Sequence, residues 1–452
     1  MLLEIPLSSG AGPLFRQIAS HLEKMIRAGT ISGSARLPGT RELAARLGVS
    51  RSTVIEAYGV LAEKGLIRMR GRSGTYVENR PPAEHLPPGE TADLLRFDSE
   101  RPTEDLVPAE ILAKISRSVL LDDGGKSLAG LPPEGSPELR RALLRHAVLR
   151  GIPARPEEVV VTSGGKDGLS TLLRTCRKAG FARVVTEELS YSDIQGIARN
   201  EDIPLSTVPL LGKEDLSPLE NLSEKDVLYL VPTFQNPMGT TLSPEIRRKI
   251  LSLRAKKGFL ILEDDSYGEL RYCDKSISAL KGMDDGDGVV YLGSFTQLLF
   301  PGIRMGYVLL PPFLTGSYLE TARFRQGQVS SLVQIVLCRF IQEGALAEAI
   351  ETARGVLSVR METLYSSLRR AFPEREISKP DGGLYLWFST GRLRGEEAAE
   401  RAAERGVLVT PGGIFSPRGR PVRGVRFALA SVDASRIEEG VRLLQKAWGG
   451  LL

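Results

Sequence analysis

The sequence predicts two folds in series: a small helix-rich head closed by a β-hairpin, and a large α/β body built on a mostly parallel sheet. Three observations carry that reading. The excess positive charge is confined to the first sixth of the chain. A Pro-rich polar stretch, residues 79–92, separates two regions of regular apolar patterning. Beyond about residue 155, near-continuous apolar runs alternate with amphipathic segments, the pattern of strands covered by helices on both faces.

The chain of 452 residues has room for two or three domains. Apolar residues make up 42% and charged residues 25%, which excludes fibrous and largely disordered classes. No apolar run reaches the ~18–20 residues of a membrane span, so no membrane partner is expected. Glu4 and the absence of a basic n-region argue against a secretory signal. Cys176, Cys273 and Cys338 are few, odd in number and without a CxxC spacing. They point to a reducing, cytoplasmic setting and away from a disulfide framework. His21, His85 and His146 are too scattered for a metal cluster or Ser-His chemistry, so no metal is expected.

Residues 1–80 hold ten Arg and two Lys against six Glu and no Asp, a net charge of +6, and the rest of the chain carries −1. A basic module on a near-neutral body fits a nucleic-acid-binding head or a solvated basic surface, and charge alone does not choose. Within the head, Leu14, Ile18, Leu22, Met25 and Ile26 recur at helical spacing behind Pro13. Thr40 is placed to cap a short helix that Gly48 ends, and Ser50 to cap a second with Val54, Tyr58 and Leu61 on one face. Two short helices joined by a tight Gly turn read as helix-turn-helix, with Arg51, Ser52 and Thr53 at the end that reaches bases and phosphates. Leu66-Ile67-Arg68-Met69-Arg70 and Thr75-Tyr76-Val77 then read as the strands of a hairpin wing.

The segments PLFRQIASHL, LPGTRELAARLGVSRSTVIEAYGVLAEKGLI and GRSGTYV, over about residues 11–78, resemble the winged helix-turn-helix head of GntR-family bacterial repressors. The resemblance implies double-stranded DNA as partner, with contacts from Arg41, Ser50, Arg51, Ser52, Thr53, Arg70 and Arg72. A winged helix used only for protein contact is the alternative. The boundaries expected are a head at 1–78, an extended linker at 79–94 and a body at 95–452. The body divides into an N-terminal segment with a large lobe (95–335) and a small C-terminal lobe (336–452).

In the body, VVVTSGG, ARVVTEE, VLYLVPTF, FLILEDD, VVYLGSF and MGYVLL are the predicted strands. Polar clusters follow them, Ser163–Lys166, Gln235–Pro237, Asp264–Tyr267 and Ser294–Gln297, and should converge beyond the carboxyl ends of a parallel sheet. Asp264 directly follows a buried strand, where a carboxylate can hold a cationic partner, and Asn236 and Tyr267 place hydrogen-bonding groups in the neighbouring clusters. Gly164 and its neighbours open a helix after a strand, a natural cup for phosphate.

This pattern, over about residues 95–450, resembles a fold-type I pyridoxal-phosphate aminotransferase, with a mostly parallel seven-stranded sheet. Together with the head, the chain resembles the MocR/GabR subfamily of GntR regulators, in which an aminotransferase-like domain senses a ligand. The resemblance implies a homodimer, a small-molecule effector, and pyridoxal phosphate or a related pyridine ligand. The expected ligand contacts are Gly164, Gly165, Lys166, Tyr191, Asn236, Asp264, Tyr267, Ser294 and Arg304, with Arg426 clamping a substrate or effector carboxylate.

The sequence departs from the family at the Schiff-base lysine, which is Gln297 here. A carboxamide forms no imine and is no base near neutral pH, so transamination should be lost and any pyridoxal phosphate held non-covalently. Gly130 replaces a tyrosine, Lys166-Asp167 replace Gln-Gln in the phosphate cup, and Glu100 replaces a glycine beside the substrate. A diverged pseudo-enzyme, an engineered substitution and a relocated lysine at Lys166 all remain open. So does the rival reading of an active aminotransferase with a DNA-binding appendage, and that of a pure dimerisation scaffold.

Overall fold

The structure, a computed structural model, describes residues 13–27, 36–63, 66–69, 74–77, 94–210, 215–273, 276–296, 301–325 and 329–451. The chain divides into two compact units, Met1–Ala92 and Asp93–Leu452. The linker residues 79–93, together with Arg70, Arg72 and Gln297, lie outside the described residues. Among the described residues no helix is long and apolar enough to cross a membrane.

The head runs α1 (Leu14–Arg27), β1 (Arg36–Leu37), α2 (Thr40–Leu47), α3 (Arg51–Glu63), β2 (Ile67–Met69) and β3 (Thr75–Val77). Ile18, Leu22, Leu43, Val54, Ala57, Tyr58 and Leu61 are fully buried and form its core. The Tyr58 hydroxyl leaves that core to donate to the Pro38 carbonyl at 2.8 Å. Gly48 ends α2 at φ 65°, a left-handed conformation that costs glycine little. Ser50 caps α3, accepting from the Thr53 N–H at 3.2 Å. Thr40 is not the cap expected of it. Gly39 holds that position in extended backbone, and Thr40 is the first helical residue. The wing pairs β2 with β3, and β1 adds a third strand on the other side of β3, which the sequence pattern did not show.

The body opens with β4 (Leu95–Arg96), α4 (Ala109–Asp122) and α5 (Pro137–Ala147). Strands and helices then alternate: β5 (Val159–Thr162), α6 (Gly165–Lys178), β6 (Arg183–Glu187), α7 (Ile194–Asn200), β7 (Leu205–Val208) and β8 (Asp226–Leu230). The run continues with α8 (Pro244–Lys257), β9 (Leu260–Asp264), α9 (Leu280–Met283), β10 (Val289–Ser294) and β11 (Gly306–Leu309). Three helices follow, α10 (Pro312–Arg325), α11 (Ser331–Gln342) and the long α12 (Ala345–Ala371). The C-terminal lobe holds β12 (Tyr385–Ser389), α13 (Gly395–Ala403), β13 (Val407–Leu408), β14 (Thr410–Pro411), β15 (Gly424–Ala428) and α14 (Ala434–Trp448).

The main sheet has seven strands in the order β5-β11-β10-β9-β8-β6-β7. All neighbours pair in parallel except β11, which is antiparallel to both β10 and β5. Residues 295–305 join β10 to β11, too few for a crossover helix, so the chain can only turn back. Strand β7 was not among the apolar runs, because it is a half-exposed edge strand. Parallel pairing brings the carboxyl ends of β5, β6, β8, β9 and β10 to one edge of the sheet.

One continuous core runs from Leu95 through the main sheet to Trp448, where Phe388 and Trp448 stack at 5.5 Å. The segment from Leu95 joins the C-terminal lobe through β4, which pairs in parallel with β13. Buried Arg360 pins this segment. It donates to the carbonyls of Leu429 and Ala430 at 3.0 Å each and to Asp105 at 2.8 and 2.9 Å. The Ser431 hydroxyl lies 2.6 and 2.9 Å from the carbonyl oxygens of Arg96 and Ser99. Glu100 is held between these two anchors.

Candidate functional site

One cavity lies at the carboxyl edge of the sheet, with about 860 Å³ of empty space open at its mouth. Gly165, Lys166, Tyr191, Asn236, Asp264, Tyr267, Ser294 and Arg304 all line it, so the structure brings together eight of the residues singled out in the sequence. Gly164 borders it, and Arg426 lies behind its wall.

The end nearest α6 is built for an anion. Gly164 has φ 84°, where a side chain would be strained, and a Cβ there would meet Thr296 Oγ1 at 3.1 Å and Arg304 at 3.7 Å. A Cβ built on Gly165 would lie 3.3 Å from that of Ser294. Backbone N–H groups at the start of a helix are thus left bare beside a hydroxyl and a guanidinium. Arg304 itself sits at φ 51°, uncommon for a residue with a side chain and found where a site over-determines the backbone. Thr296 Oγ1 is buried with no hydrogen-bond partner among the described residues. Lys166 pairs at the mouth with Asp193, which also accepts from the Tyr191 hydroxyl at 2.9 Å. Asp167 accepts from the Ser163 N–H at 3.2 Å and so takes up one donor of the cup.

At the floor, only the middle acid of Glu263-Asp264-Asp265 faces the cavity. Glu263 accepts from the N–H groups of Leu280 and Lys281 at 2.7 and 2.8 Å. Asp265 pairs with Arg150 through two contacts of 2.6 and 3.1 Å. Asp264 accepts from the Tyr229 hydroxyl at 2.8 Å and the Ser266 hydroxyl at 2.5 Å. Burial pushes the Asp264 carboxyl above the usual carboxylate range, against the pull of those hydrogen bonds. A cationic ring nitrogen beside it would favour the charged form.

The third wall is a closed ring of hydrogen bonds. Arg426 Nη1 donates to Asn236 Oδ1 at 2.9 Å, and Asn236 Nδ2 donates to the Tyr267 hydroxyl at 3.2 Å. Tyr267 is 3.1 Å from the Tyr385 hydroxyl, which donates to Glu100 Oε1 at 2.6 Å. Glu100 Oε1 closes the ring 3.1 Å from Arg426 Nη1. The Arg426 guanidinium lies 4.1 Å from the Tyr385 ring centroid and 4.8 Å from that of Phe415. Burial works against its charge, but Tyr385 and Glu100 outweigh it and hold its pKa above the ordinary value.

Sequence reasoning missed Tyr229, Tyr385 and Thr296. Tyr229 left a signal, since a hydroxyl inside an otherwise apolar buried strand must find a partner. Tyr385 left none, because it arrives from β12, over a hundred residues beyond the cluster it joins. Gly130 is exposed and does not line this cavity. In the head, Arg41, Ser50, Arg51 and Ser52 are exposed and Thr53 half-exposed around the start of α3, with Arg51 Nε 3.4 Å from Thr40 Oγ1.

Comparison with known proteins agrees with this geometry. Residues 92–444 match the aminotransferase class I and II family, and residues 14–77 match the gntR family of bacterial regulatory proteins. A 2-aminoadipate transaminase of Thermus thermophilus is 31% identical over 79% of this chain and 91% of its own. The probable rhizopine catabolism regulatory protein MocR of Rhizobium meliloti is 28% identical over 96% of this chain and 94% of its own. Among solved structures, the α-aminoadipate aminotransferase LysN of Thermus thermophilus, complexed with N-(5'-phosphopyridoxyl)-L-leucine, superposes with a TM-score of 0.72 at 28% identity. It covers 80% of this chain and 93% of its own. The chain belongs to the aminotransferase class I and II family and carries that fold behind a gntR-type regulatory head, as the MocR regulators do.

Proposed function

We propose that this regulator binds operator DNA through its head and a phosphorylated pyridine, non-covalently, through its body, without transaminase activity. The observation that carries the reading is a cofactor-type cavity, with each element of its donor set present, on a chain whose Schiff-base position is Gln297. The aminotransferase class I and II family binds pyridoxal phosphate, which supplies an electron sink for chemistry at an amino acid's α-carbon. Here Gly164, Gly165, Ser294, Thr296 and Arg304 would hold the phosphate, and Thr296 gives the buried, unpartnered Oγ1 a role. Asp264 would hold the ring nitrogen, Asn236 and Tyr267 the ring oxygen, and Tyr191 a ring face. The side chains thus bind and orient, and Gln297 moves no proton. Lys166 is engaged with Asp193 at the mouth, which supports a part in attracting phosphate over a part as relocated Schiff-base lysine.

A homodimer is part of the proposal. Leu121 and Leu128, well exposed on the body, are the kind of apolar surface that a second copy covers, and a two-fold dimer suits two DNA half-sites. The test uses the full chain. With pyridoxal phosphate and a panel of amino and keto acids it should show no turnover, and sedimentation should give a dimer. Pyridoxamine phosphate should change its DNA affinity, by an amount set by differential binding to two conformations. Steady turnover abolished by Lys166→Ala would overturn the reading in favour of a relocated lysine.

A further inference from the structure

We propose that Glu100 is a built-in carboxylate that occupies Arg426, so that the cavity accepts a phosphopyridine carrying an amine and discriminates against one carrying an amino acid's carboxylate. The inference rests on the pocket reading above and narrows its ligand class.

Four observations support it. Glu100 Oε1 is 3.1 Å from Arg426 Nη1 and accepts from the Tyr385 hydroxyl at 2.6 Å, the kind of contact a bound carboxylate would make. Glu100 lines the cavity and Arg426 does not, so the acid lies between the ligand space and the guanidinium. The hydrogen bonds from Arg426 through Asn236, Tyr267 and Tyr385 reach Glu100, whose ion pair with Arg426 Nη1 closes the circuit and leaves Arg426 Nε as the one atom of that guanidinium buried without a partner among the described residues. The backbone that carries Glu100 is anchored on both sides, by Ser431 at Arg96 and Ser99 and by Arg360 at Asp105. A carboxylate-bearing ligand must break the circuit or set a second negative charge beside Glu100, with one arginine to share. The glycine found at this position in the resembled family would leave the arginine open.

Calorimetry on the full-length protein separates the possibilities, with pyridoxamine phosphate and N-(5'-phosphopyridoxyl)-L-leucine as probes. Wild type should bind the leucine adduct no more tightly than the amine. Glu100→Gly should favour the adduct over the amine by at least about tenfold, and Glu100→Gln, which keeps shape and drops charge, should move the ratio the same way. A wild-type circular-dichroism spectrum and a cooperative thermal transition in both variants control for their folding. An adduct already tenfold tighter in wild type, or a ratio unmoved in both variants, overturns this inference alone. Failure of both compounds to bind any of the three proteins overturns it together with the pocket reading beneath it.

Discussion

The two halves of the cavity have been treated differently. The half that would meet a phosphate and a ring keeps its polar groups along the cavity: the helix N–H groups of α6, Ser294, Arg304, a Thr296 hydroxyl without a partner among the described residues, and the Asp264 carboxyl. The half that would meet an amino acid's carboxylate is closed on itself through Glu100, Tyr385 and Arg426. Buried charge is costly to leave unpaired, so a polar wall survives loss of its ligand only if an internal group takes the ligand's place. Under the proposed function, the contrast marks the phosphate and ring half as the part of the pocket still open to a ligand.

The largest effect expected comes from undoing both departures at once. Gln297→Lys alone should attach pyridoxal phosphate in a form trapped by borohydride, yet show little turnover of amino acids while Glu100 holds Arg426. Gln297→Lys combined with Glu100→Gly should turn over. Full activity in the single variant would break the comparison, because the carboxylate half would then be open.

Asp264→Asn is next. It keeps the Tyr229 contact but drops the charge opposite a ring nitrogen, and should weaken pyridoxamine phosphate binding by up to about 100-fold. The preference between amine and adduct should not move. A change in that preference would mean that the two halves act as one unit.

Much of this was legible in the sequence, and the reasons differ by element. The six apolar runs of the body gave six strands, because burial on both faces leaves a continuous signature. The cavity was legible at Asp264 on its floor and at Asn236 on its third wall, since polar clusters directly after parallel strands must share an edge. The closed wall was only half legible. Glu100 stood out as a departure, but its partner Tyr385 arrives from β12 through tertiary packing that leaves no local pattern. The third strand of the head's sheet, β1, is two residues long and too short for periodicity to register.

The head offers a smaller test from outside the pocket. Arg51→Ala should cost at least about 1 kcal/mol in binding to a duplex selected by this protein from a random pool, with a steep salt dependence for both proteins. Pyridoxamine phosphate affinity in the absence of DNA should be unchanged.

The smallest effect concerns pH. Burial pushes the Glu187 carboxyl up to about 7, against a hydrogen bond from Gln235, the neighbour of Asn236. A raised folded-state pKa means that its stability contribution is complete below the unfolded value of 4.5 and is lost as pH rises to about 7. Wild type should therefore lose a few degrees of Tm relative to Glu187→Gln across that window, with a constant difference above it. A pH-independent difference would show that Glu187 stays in one protonation state throughout.

A crystal structure of the full-length protein grown with pyridoxamine phosphate decides whether this cavity holds a phosphopyridine while Glu100 occupies Arg426. Phosphate is expected at Gly164, Ser294 and Arg304, the ring nitrogen at Asp264, and Glu100 still on Arg426. A bound ligand with Glu100 turned away and Arg426 open to the cavity, or density elsewhere than in this cavity, would contradict that expectation.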